Sequence, residues 1–280
     1  MKLSVLMPVY TKESPAILSQ CLQSLARQTL HADELVIVED GQLGGPLDAV
    51  LAEFKSVLPI ILVALPVHGG LGAALSAGMA ICRGDYVARM DSDDLCVDER
   101  FQRQVDFLDS HCAVDVVGSA IGEFDCEPTA PTSIRRLPAS GRELTRFARH
   151  RNPLNHMTVM FRREAVLAAG SYKHFPEFED YHLWARMLMQ GHCLHNMHEI
   201  LVHARCGKSL QTRRGGFRYF KQEMLFQIFL YRVGLVTLPA LIRNMVVRGP
   251  IRLAPKFLRA SCYRLFLRSG PLSTRELNHG

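Results

Sequence analysis

The sequence lacks the marks of several classes of protein. Its eight cysteines include no Cys-x-x-Cys pair and follow no regular spacing, which argues against a disulfide framework and a zinc site and is typical of a reducing compartment. The apolar stretch at 225–242 contains Arg232 and Pro239, so no uncharged run reaches the ~20 residues that span a bilayer. The apolar run at 3–9 is short and contains Pro8, and we expect a first strand there, not a signal peptide.

Acidic residues are missing from one part of the chain. Residues 224–275 hold nine Lys or Arg and no Asp or Glu, whereas the remainder carries 24 basic and 27 acidic residues. The net charge of +6 therefore belongs to the C-terminal segment. Six of its basic residues recur every three to five positions among apolar ones: Arg248, Arg252, Lys256, Arg259, Arg264 and Arg268. This amphipathic pattern predicts attachment to an anionic membrane surface. Nucleic-acid binding is the alternative, but no recognition motif accompanies the charge, and we expect no nucleic-acid partner.

The first part of the chain alternates between strand and helix patterns. With 280 residues and 48% apolar content, the chain is long enough for one large domain with an appendage. Strands are predicted at 3–9, 34–38, 60–64 and 86–90, with helices after Ser14-Pro15 and at 47–57 and 70–81. This alternation with short links predicts an α/β fold with a mostly parallel, Rossmann-like sheet covered by helices on both faces.

The alternation weakens after Asp94. Helices are predicted at 100–108, 141–149, 164–169 and 179–190, and strands at 114–121, 157–161 and 193–202. The stretch 124–137 contains Pro and Thr and is predicted to be a loop.

Three of the predicted strands carry candidate ligand-binding residues at their carboxyl ends. They are Pro8-Val9-Tyr10, Glu39-Asp40 and the acidic stretch Asp91-Ser92-Asp93-Asp94. In parallel sheets ligands bind beyond the carboxyl ends of the strands. We therefore expect these groups to converge on one ligand site.

The acidic stretch has two interpretations. Three carboxylates within four residues repel one another, and a cation or hydrogen-bond donors must offset them if all are ionised. Oxygen ligands of this kind suit Mg²⁺ or Mn²⁺, completed by substrate phosphates. The alternative is a solvated acidic turn before the helix that starts near Arg100.

The order of motifs resembles a known family. Five stretches carry the resemblance: Val5-Leu-Met-Pro-Val-Tyr10, Glu39-Asp40, Gly69-Gly-Leu-Gly-Ala-Ala-Leu-Ser-Ala-Gly78, Ala88-Arg-Met-Asp-Ser-Asp-Asp94 and Glu179-Asp180. Together they resemble the family 2 glycosyltransferases with the GT-A fold, and among these the bacterial enzymes of exopolysaccharide, capsule and O-antigen synthesis, including amylovoran-type enzymes. The resemblance covers residues 2–216.

The resemblance implies a donor site at the strand ends. Nucleotide-sugar contacts would come from Pro8, Val9, Tyr10, Asp40, Gly70, Asp91 and Ser92, with Asp40 bonding the uracil ring. Asp93, with Asp91, would hold Mn²⁺ or Mg²⁺ at the diphosphate. Asp40 also suits a turn before Gly41, and Tyr10 also suits a core position. His68 and Ser76 stand where many relatives have Asn.

The resemblance also implies a general base. Glu179-Asp180 resembles the family's Glu-Asp motif, in which Asp180 would accept the proton of the attacking hydroxyl and Glu179 would orient it. One displacement with one base inverts the anomeric centre. The alternative is an ordinary pair of first-turn acids at a helix N-terminus.

Four further residues are possible acceptor or phosphate contacts. His156 follows Asn152-Pro-Leu-Asn, and His203, Arg213 and Arg214 fall where such enzymes close a segment over the donor. The alternatives are a structural histidine at His156 and a solvated basic loop at 213–214.

The combined prediction is a metal-dependent, inverting glycosyltransferase. It would move a hexose from a UDP-sugar to a hydroxyl of a lipid-linked saccharide, of the polyprenyl diphosphate type, in bacterial surface polysaccharide synthesis. We expect a GT-A domain at 1–223, with a nucleotide-sugar half at 1–110 and an acceptor half at 111–223, and a helical basic segment at 224–280. The expected location is cytoplasmic, on the inner face of the cytoplasmic membrane.

Two other functions fit the same sequence less well. One is a catalytically silent homologue that binds nucleotide sugar or forms a scaffold. The other is a sugar-nucleotide nucleotidyltransferase, but the glycine-rich signature expected after the first strand is replaced by Pro8-Val9-Tyr10-Thr11.

Overall fold

The computed structural model describes residues 1–125, 130–205 and 216–253. In these residues the strands are β1 Leu3–Tyr10, β2 Glu34–Asp40, β3 Ile60–Ala64, β4 Tyr86–Arg89, β5 Leu95–Cys96, β6 Val116–Phe124, β7 Ser133–Arg135, β8 Met160–Arg162 and β9 Leu194–Arg205. The helices are α1 Pro15–Ala26, α2 Gly45–Phe54, α3 Leu71–Ile81, α4 Arg100–Ser110, α5 Gly141–Ala148, α6 Arg163–Ala168, α7 Glu179–Met189, α8 Phe217–Arg232 and α9 Leu238–Leu253.

All of these strands join one sheet. Its order is β3-β2-β1-β4-β8-β6-β9-β5, with β7 paired to β6. The first four strands are parallel, β8 runs antiparallel between β4 and β6, and β9 is parallel to β6. The predicted α/β class with a mostly parallel sheet is confirmed.

Three details of the second half differ from the prediction. Residues 133–135 form β7 within the predicted loop, and 95–96 form β5, which was not predicted. The predicted strand at 157–161 starts as a 3-10 turn, His156–Thr158, and only Met160–Arg162 is a strand. Each short strand is extended because it pairs with a distant strand, and local sequence does not encode that partner.

The core has two layers, one on each face of the sheet. Alternate residues of β1 point to opposite faces. Leu3, Val5, Met7 and Val9 pack with α1, α2 and α4, whereas Leu6 packs with α3, α6 and α7. Both faces of the parallel strands are covered by apolar side chains, so polar side chains are accommodated at the ends of the strands.

Helices α8 and α9 pack against α7. The ring of Phe226 in α8 stacks on Phe178, directly before α7, with ring centroids 4.6 Å apart. Glu223 of α8 is fully buried and pairs with Arg248 and Arg252 of α9. The predicted boundary after residue 223 falls inside α8, and the division into domains stays a prediction. Among the described helices, none has both the length and the apolar character to cross a membrane.

Candidate active site

The strand ends bring the predicted groups to one edge of the sheet. Tyr10 and Asp40 are register partners at the ends of β1 and β2. Arg89 at the end of β4 pairs with Leu6, and the N–H of Met90 donates to the Leu6 carbonyl at 3.1 Å. We call this the carboxyl edge. It carries the acidic stretch immediately beyond β4.

Asp91, Asp93 and Asp94 form an acidic cluster. One oxygen from each lies within 4.8 Å of the others. Burial, followed by the charges of Asp91 and Glu13, raises the pKa of Asp93 to about 6, and burial raises the pKa of Asp94 as well. Oδ1 of Asp94 accepts from the Arg205 backbone N–H at 2.8 Å, while its Oδ2 is buried with no hydrogen-bond partner in the described residues.

This donor set fits a hard divalent cation. An orphaned, buried carboxylate oxygen next to two more carboxylates is costly unless a cation pairs with it. Oxygen donors at this spacing suit Mg²⁺ or Mn²⁺. Asp91, Asp93 and Asp94 are therefore the residues that would hold an ion.

The loop that carries the acidic cluster is held from several sides. Ser92 Oγ donates to Glu13 Oε2 at 2.7 Å, and Cys21 Sγ donates to the Asp91 carbonyl at 3.3 Å. Arg205 Nε donates to the Asp93 carbonyl at 3.2 Å. Glu13 and Arg205 were not identified from the sequence, because neither lies in a motif and Arg205 is 112 positions from Asp93.

Asp40 caps helix α3. Its carboxylate accepts from the N–H of Gly69 at 2.7 Å and of Gly70 at 3.0 Å, and His68 Nδ1 lies 2.8 Å from its Oδ2. Gly70 has φ +82°, which suits glycine. The candidate nucleobase contact thus also satisfies the N–H group of Gly70, at the N-cap of α3, and that of Gly69 before it.

The β1 residues differ in what they present at the carboxyl edge. The Val9 side chain is buried in the core, so Val9 offers a ligand its backbone only. Pro8 and Tyr10 are partly exposed.

Asp180 lies at the start of α7, and within the part of the chain that the structure describes Asn152 and the Tyr181 backbone donate hydrogen bonds to it. Asn152 Nδ2 donates to its Oδ2 at 2.5 Å, and the Tyr181 N–H donates to its Oδ1 at 2.7 Å. His156 Nδ1 is 4.0 Å from the same Oδ2. The carboxylate is oriented yet 18% exposed, which suits a group that accepts a proton from a substrate. Asn152 was not recognised as its partner, since 28 positions separate them.

Glu179 is almost buried, at 8% exposure. Burial raises its pKa to about 7. It packs against α3 so closely that a Cβ added at Gly72 would lie 2.8 Å from its Cγ. Glu179 therefore joins the start of α7 to the start of α3.

His156 is a neutral histidine inside the site. Its Nε2 lies 3.0 Å from the Tyr172 hydroxyl, and the ring of Trp184 meets it edge-on at 6.2 Å. Burial and the charge of Arg89 hold its pKa well below the usual value. The sequence left open a ligand contact or a structural role, and the structure shows the Tyr172 contact.

The remaining predicted contacts are His203 and the pair Arg213-Arg214. His203 is in β9, opposite Leu95 of β5, and burial lowers its pKa. Arg213 and Arg214 are outside the described residues.

Arg89 lies between the acidic cluster and the residues around Asp180, namely Asp180, Asn152 and His156, which we call the Asp180 group. Its Nη2 is 2.5 Å from Asp91 Oδ1, and its side chain is 2% exposed. Burial raises the pKa of Asp93 and of Tyr172, and the charge of Arg89 opposes that rise. Burial lowers the pKa of His156, and the charge of Arg89 lowers it further. Arg89 therefore contacts the acidic cluster directly and acts electrostatically on the side of the site that holds His156 and Tyr172.

A sheet of this order with an acidic cluster beyond β4 and a held carboxylate at α7 defines a glycosyltransferase with the GT-A fold. The model for "Glycosyl transferase family 2" matches residues 4–170. The chain belongs to this family.

Two relatives and one solved structure illustrate the similarity. "Amylovoran biosynthesis glycosyltransferase AmsE" of Erwinia amylovora is 41% identical over 254 residues, covering 89% of this chain and 95% of the relative. "UDP-Gal:alpha-D-GlcNAc-diphosphoundecaprenol beta-1,3-galactosyltransferase" of Escherichia coli is 34% identical over 267 residues, covering 95% and 97%. The structure of S. aureus TarS 1-349 in complex with UDP-GlcNAc matches with a TM-score of 0.69 at 17% identity, covering 96% of this chain and 76% of that one, and shows the shared fold.

Proposed function

We propose that this protein is a metal-dependent, inverting glycosyltransferase that moves a hexose from a UDP-sugar to a hydroxyl of a lipid-linked saccharide in bacterial surface polysaccharide synthesis. The proposal is carried by two carboxylate groups at the carboxyl edge. The acidic cluster is suited to bind a divalent ion, and Asp180 is suited to accept a proton. The activity of the Escherichia coli relative supports a UDP-sugar donor and a lipid-linked acceptor, and the amylovoran enzyme supports a role in surface polysaccharide synthesis.

The acidic cluster serves the leaving group. Asp91, Asp93 and Asp94 would hold Mn²⁺ or Mg²⁺, which when bound neutralises the charge that builds on the departing diphosphate. Pro8, the Val9 backbone, Tyr10, Asp40, Gly70 and Ser92 would line the nucleotide side of the edge. His68 is largely exposed and lies against Oδ2 of Asp40. A nucleobase that contacts Asp40 must displace the His68 ring from this oxygen or share the oxygen with it.

Asp180 serves the nucleophile. An acceptor hydroxyl has a pKa far above neutrality, so its proton must pass to a base as the new bond to the anomeric carbon forms. Asn152 and the Tyr181 N–H orient the carboxylate. Displacement from the face opposite the diphosphate inverts the configuration, and an α-linked donor gives a β-linked product.

Transfer with defined substrates tests this function. UDP-galactose and UDP-glucose are each offered with Mn²⁺ and a GlcNAc-diphosphate lipid, and the product is identified by mass spectrometry and NMR. Asp180→Asn is expected to lose about 10²-fold or more of the transfer rate while calorimetric UDP binding persists, and Asp93→Ala is expected to lose Mn²⁺-dependent UDP binding.

The control is Asp106→Asn, an exposed carboxylate of α4, which leaves both properties unchanged. Full transfer by Asp180→Asn would remove the base assignment. UDP binding without transfer by the wild type to any such acceptor would favour the silent binding protein.

We also propose peripheral attachment to an anionic membrane through the C-terminal segment. In its described part, Leu238, Ile242 and Val246 of α9 are 50%, 55% and 67% exposed, and their spacing of four puts them on one helix face. Arg248 and Arg252 pair with the buried Glu223 instead of facing a membrane. The other basic residues that motivate the proposal, Lys256 to Arg268, lie outside the described residues.

Vesicle co-sedimentation tests the attachment. The wild type is expected to sediment with phosphatidylglycerol vesicles and to be released by high salt, because roughly 1 kcal/mol per basic side chain drives such binding. The double change Ile242→Ser, Val246→Ser should weaken sedimentation. Equal binding to neutral phosphatidylcholine vesicles would exclude the electrostatic part of the proposal.

A further inference from the structure

Arg89 is a buried arginine that packing does not require. It lies in β4, where its neighbours Val87, Ala88 and Met90 are fully buried and apolar. Its Nη2 pairs with Asp91, but its Nε and Nη1 are buried and have no hydrogen-bond partner in the described residues. Unmatched N–H groups of a buried charge destabilise a fold, and an apolar residue of similar volume is often as stable or more so. Fold stability therefore does not explain why this position is charged.

The position of Arg89 points to the site instead. Nη2 holds Oδ1 of Asp91 at 2.5 Å, which leaves Oδ2 for another ligand. On its other side the guanidinium acts on His156 and Tyr172, and His156 lies 4.0 Å from Asp180. Because Arg89 is almost completely covered by protein, it does not reach a substrate in the edge.

We propose that Arg89 is a positioning residue that fixes the Asp91 carboxylate in the orientation that receives the divalent ion. This inference rests on the proposed function, in which the acidic cluster holds Mn²⁺ or Mg²⁺. Asp91, Asp93 and Asp94 repel one another, and the Asp91 side chain is 29% exposed. A buried cation behind Asp91 holds it in the cluster without occupying the ion's position.

Two effects of Arg89 on an ion oppose each other. Its positive charge repels a divalent cation, so Coulomb repulsion alone predicts tighter ion binding when the charge is removed. The orientation of Asp91 predicts weaker ion binding when the charge is removed, because Asp93 and Asp94 then drive the unpaired Asp91 carboxylate towards solvent. We expect orientation to dominate, since the ion needs several oxygens in place at once.

The experiment measures Mn²⁺ binding directly. Free Mn²⁺ is followed by its EPR signal during titration of the full chain, with and without saturating UDP, for the wild type, Arg89→Met and Arg89→Lys. Arg89→Met is expected to bind Mn²⁺ at least tenfold more weakly, with a Tm equal to or above that of the wild type and unchanged UDP affinity in the absence of metal. Arg103→Met, an exposed arginine of α4 that pairs with Glu199, is the matched control and keeps wild-type binding.

The outcomes separate this inference from the proposed function. Mn²⁺ binding in Arg89→Met that equals or exceeds the wild type overturns the role of Arg89 alone. If the wild type binds no Mn²⁺ with or without UDP, the proposed metal dependence fails as well. If Arg89→Met does not fold, Arg89→Lys decides, because it keeps the charge but not the planar fork: weaker Mn²⁺ binding supports the inference and unchanged binding overturns it.

Discussion

Glu179 illustrates how burial changes the chemistry of one acidic residue. Its pKa is raised from the ordinary value of 4.5 to about 7, chiefly by burial. Between these two pH values the folded protein keeps a proton that the unfolded chain has released. The free energy of unfolding therefore falls as pH rises from about 4.5 to about 7.

Glu179→Gln should remove this pH dependence. Gln resembles the protonated acid, so the two proteins should have similar stability near pH 4.5. At pH 7.5 the variant should be more stable, by roughly 3 kcal/mol from the size of the pKa change. Urea unfolding at a series of pH values measures the difference, and a difference that stays constant across the range would contradict the buried environment of Glu179.

Asp40, unlike Glu179, is an acidic residue whose hydrogen bonds support the fold. Asp40→Asn keeps one acceptor oxygen but turns an amide group towards N–H donors, at Gly70 or at His68. We expect a loss of about 1–3 kcal/mol in the free energy of unfolding, together with weaker UDP binding by calorimetry. Asp48→Asn, an exposed residue of α2, is the control, and equal stability of the two variants would refute the capping role.

Sequence patterns predicted the candidate residues of the site better than their partners. Asp93, Asp180 and Asp40 stand in short ordered motifs, whereas Arg89 was not singled out from the sequence although it lies in the same stretch as Asp93. Their partners were not predictable, because Asn152, Tyr172 and Arg205 reach the site through folding of distant segments. Motif chemistry is local, whereas hydrogen-bond geometry depends on tertiary packing.

At the scale of elements, the contact between α3 and α7 joins the two parts of the site. The Asp40 cap fixes the start of α3, and Asp180 lies at the start of α7. Between them, Glu179 lies directly over Gly72. A glycine at this position lets the two helix starts approach.

Gly72→Ala should separate these helix starts. The new Cβ would lie 2.8 Å from Glu179 Cγ and 3.2 Å from the Lys173 carbonyl oxygen, and the latter is backbone and cannot rotate away. We expect a cost of about 1–3 kcal/mol in unfolding free energy, with transfer activity reduced even where the protein is fully folded.

The matched control is Gly45→Ala in α2, where an added Cβ meets nothing within 4 Å. Urea unfolding and initial transfer rates compare the two variants. Full activity in Gly72→Ala would show that the start of α7 can move without affecting catalysis.

The elements themselves were predicted unevenly along the chain. The alternation up to residue 90 predicted β1 to β4 and the helices between them, because buried parallel strands form apolar runs bounded by turns. Beyond it, β5, β7 and the 3-10 turn before β8 were missed. β5 and β7 contain two or three residues each, and pairing with a partner strand, not local preference, makes them extended.

At the scale of the whole molecule, the C-terminal helices complete the core around α7. Phe226 and Leu230 of α8 are fully buried, and they belong to one apolar cluster with Phe178 and Tyr181. The site helix is therefore supported from a part of the chain beyond the family match at 4–170.

A chain shortened after Glu223 should be unstable. It would lose Phe226 and Leu230, each worth about 1.5–3 kcal/mol of burial, and would leave Glu223 without Arg248 and Arg252. A chain ending after Leu253 keeps these contacts and should unfold at higher urea concentration. Soluble yield and urea midpoints of the two shortened chains measure the effect, and equal midpoints would support an independent domain ending at 223.

The edge-on contact between Trp184 and His156 makes the molecule its own optical probe. Trp184 is the single tryptophan of the sequence, and it is fully buried beside the Asp180 group. Its ultraviolet emission arises from one known position and depends on the polarity and charge around His156. Under the proposed function, an acceptor that binds beside Asp180 is expected to change this emission, so stopped-flow fluorescence of the native sequence would time its binding without a label or an engineered reporter.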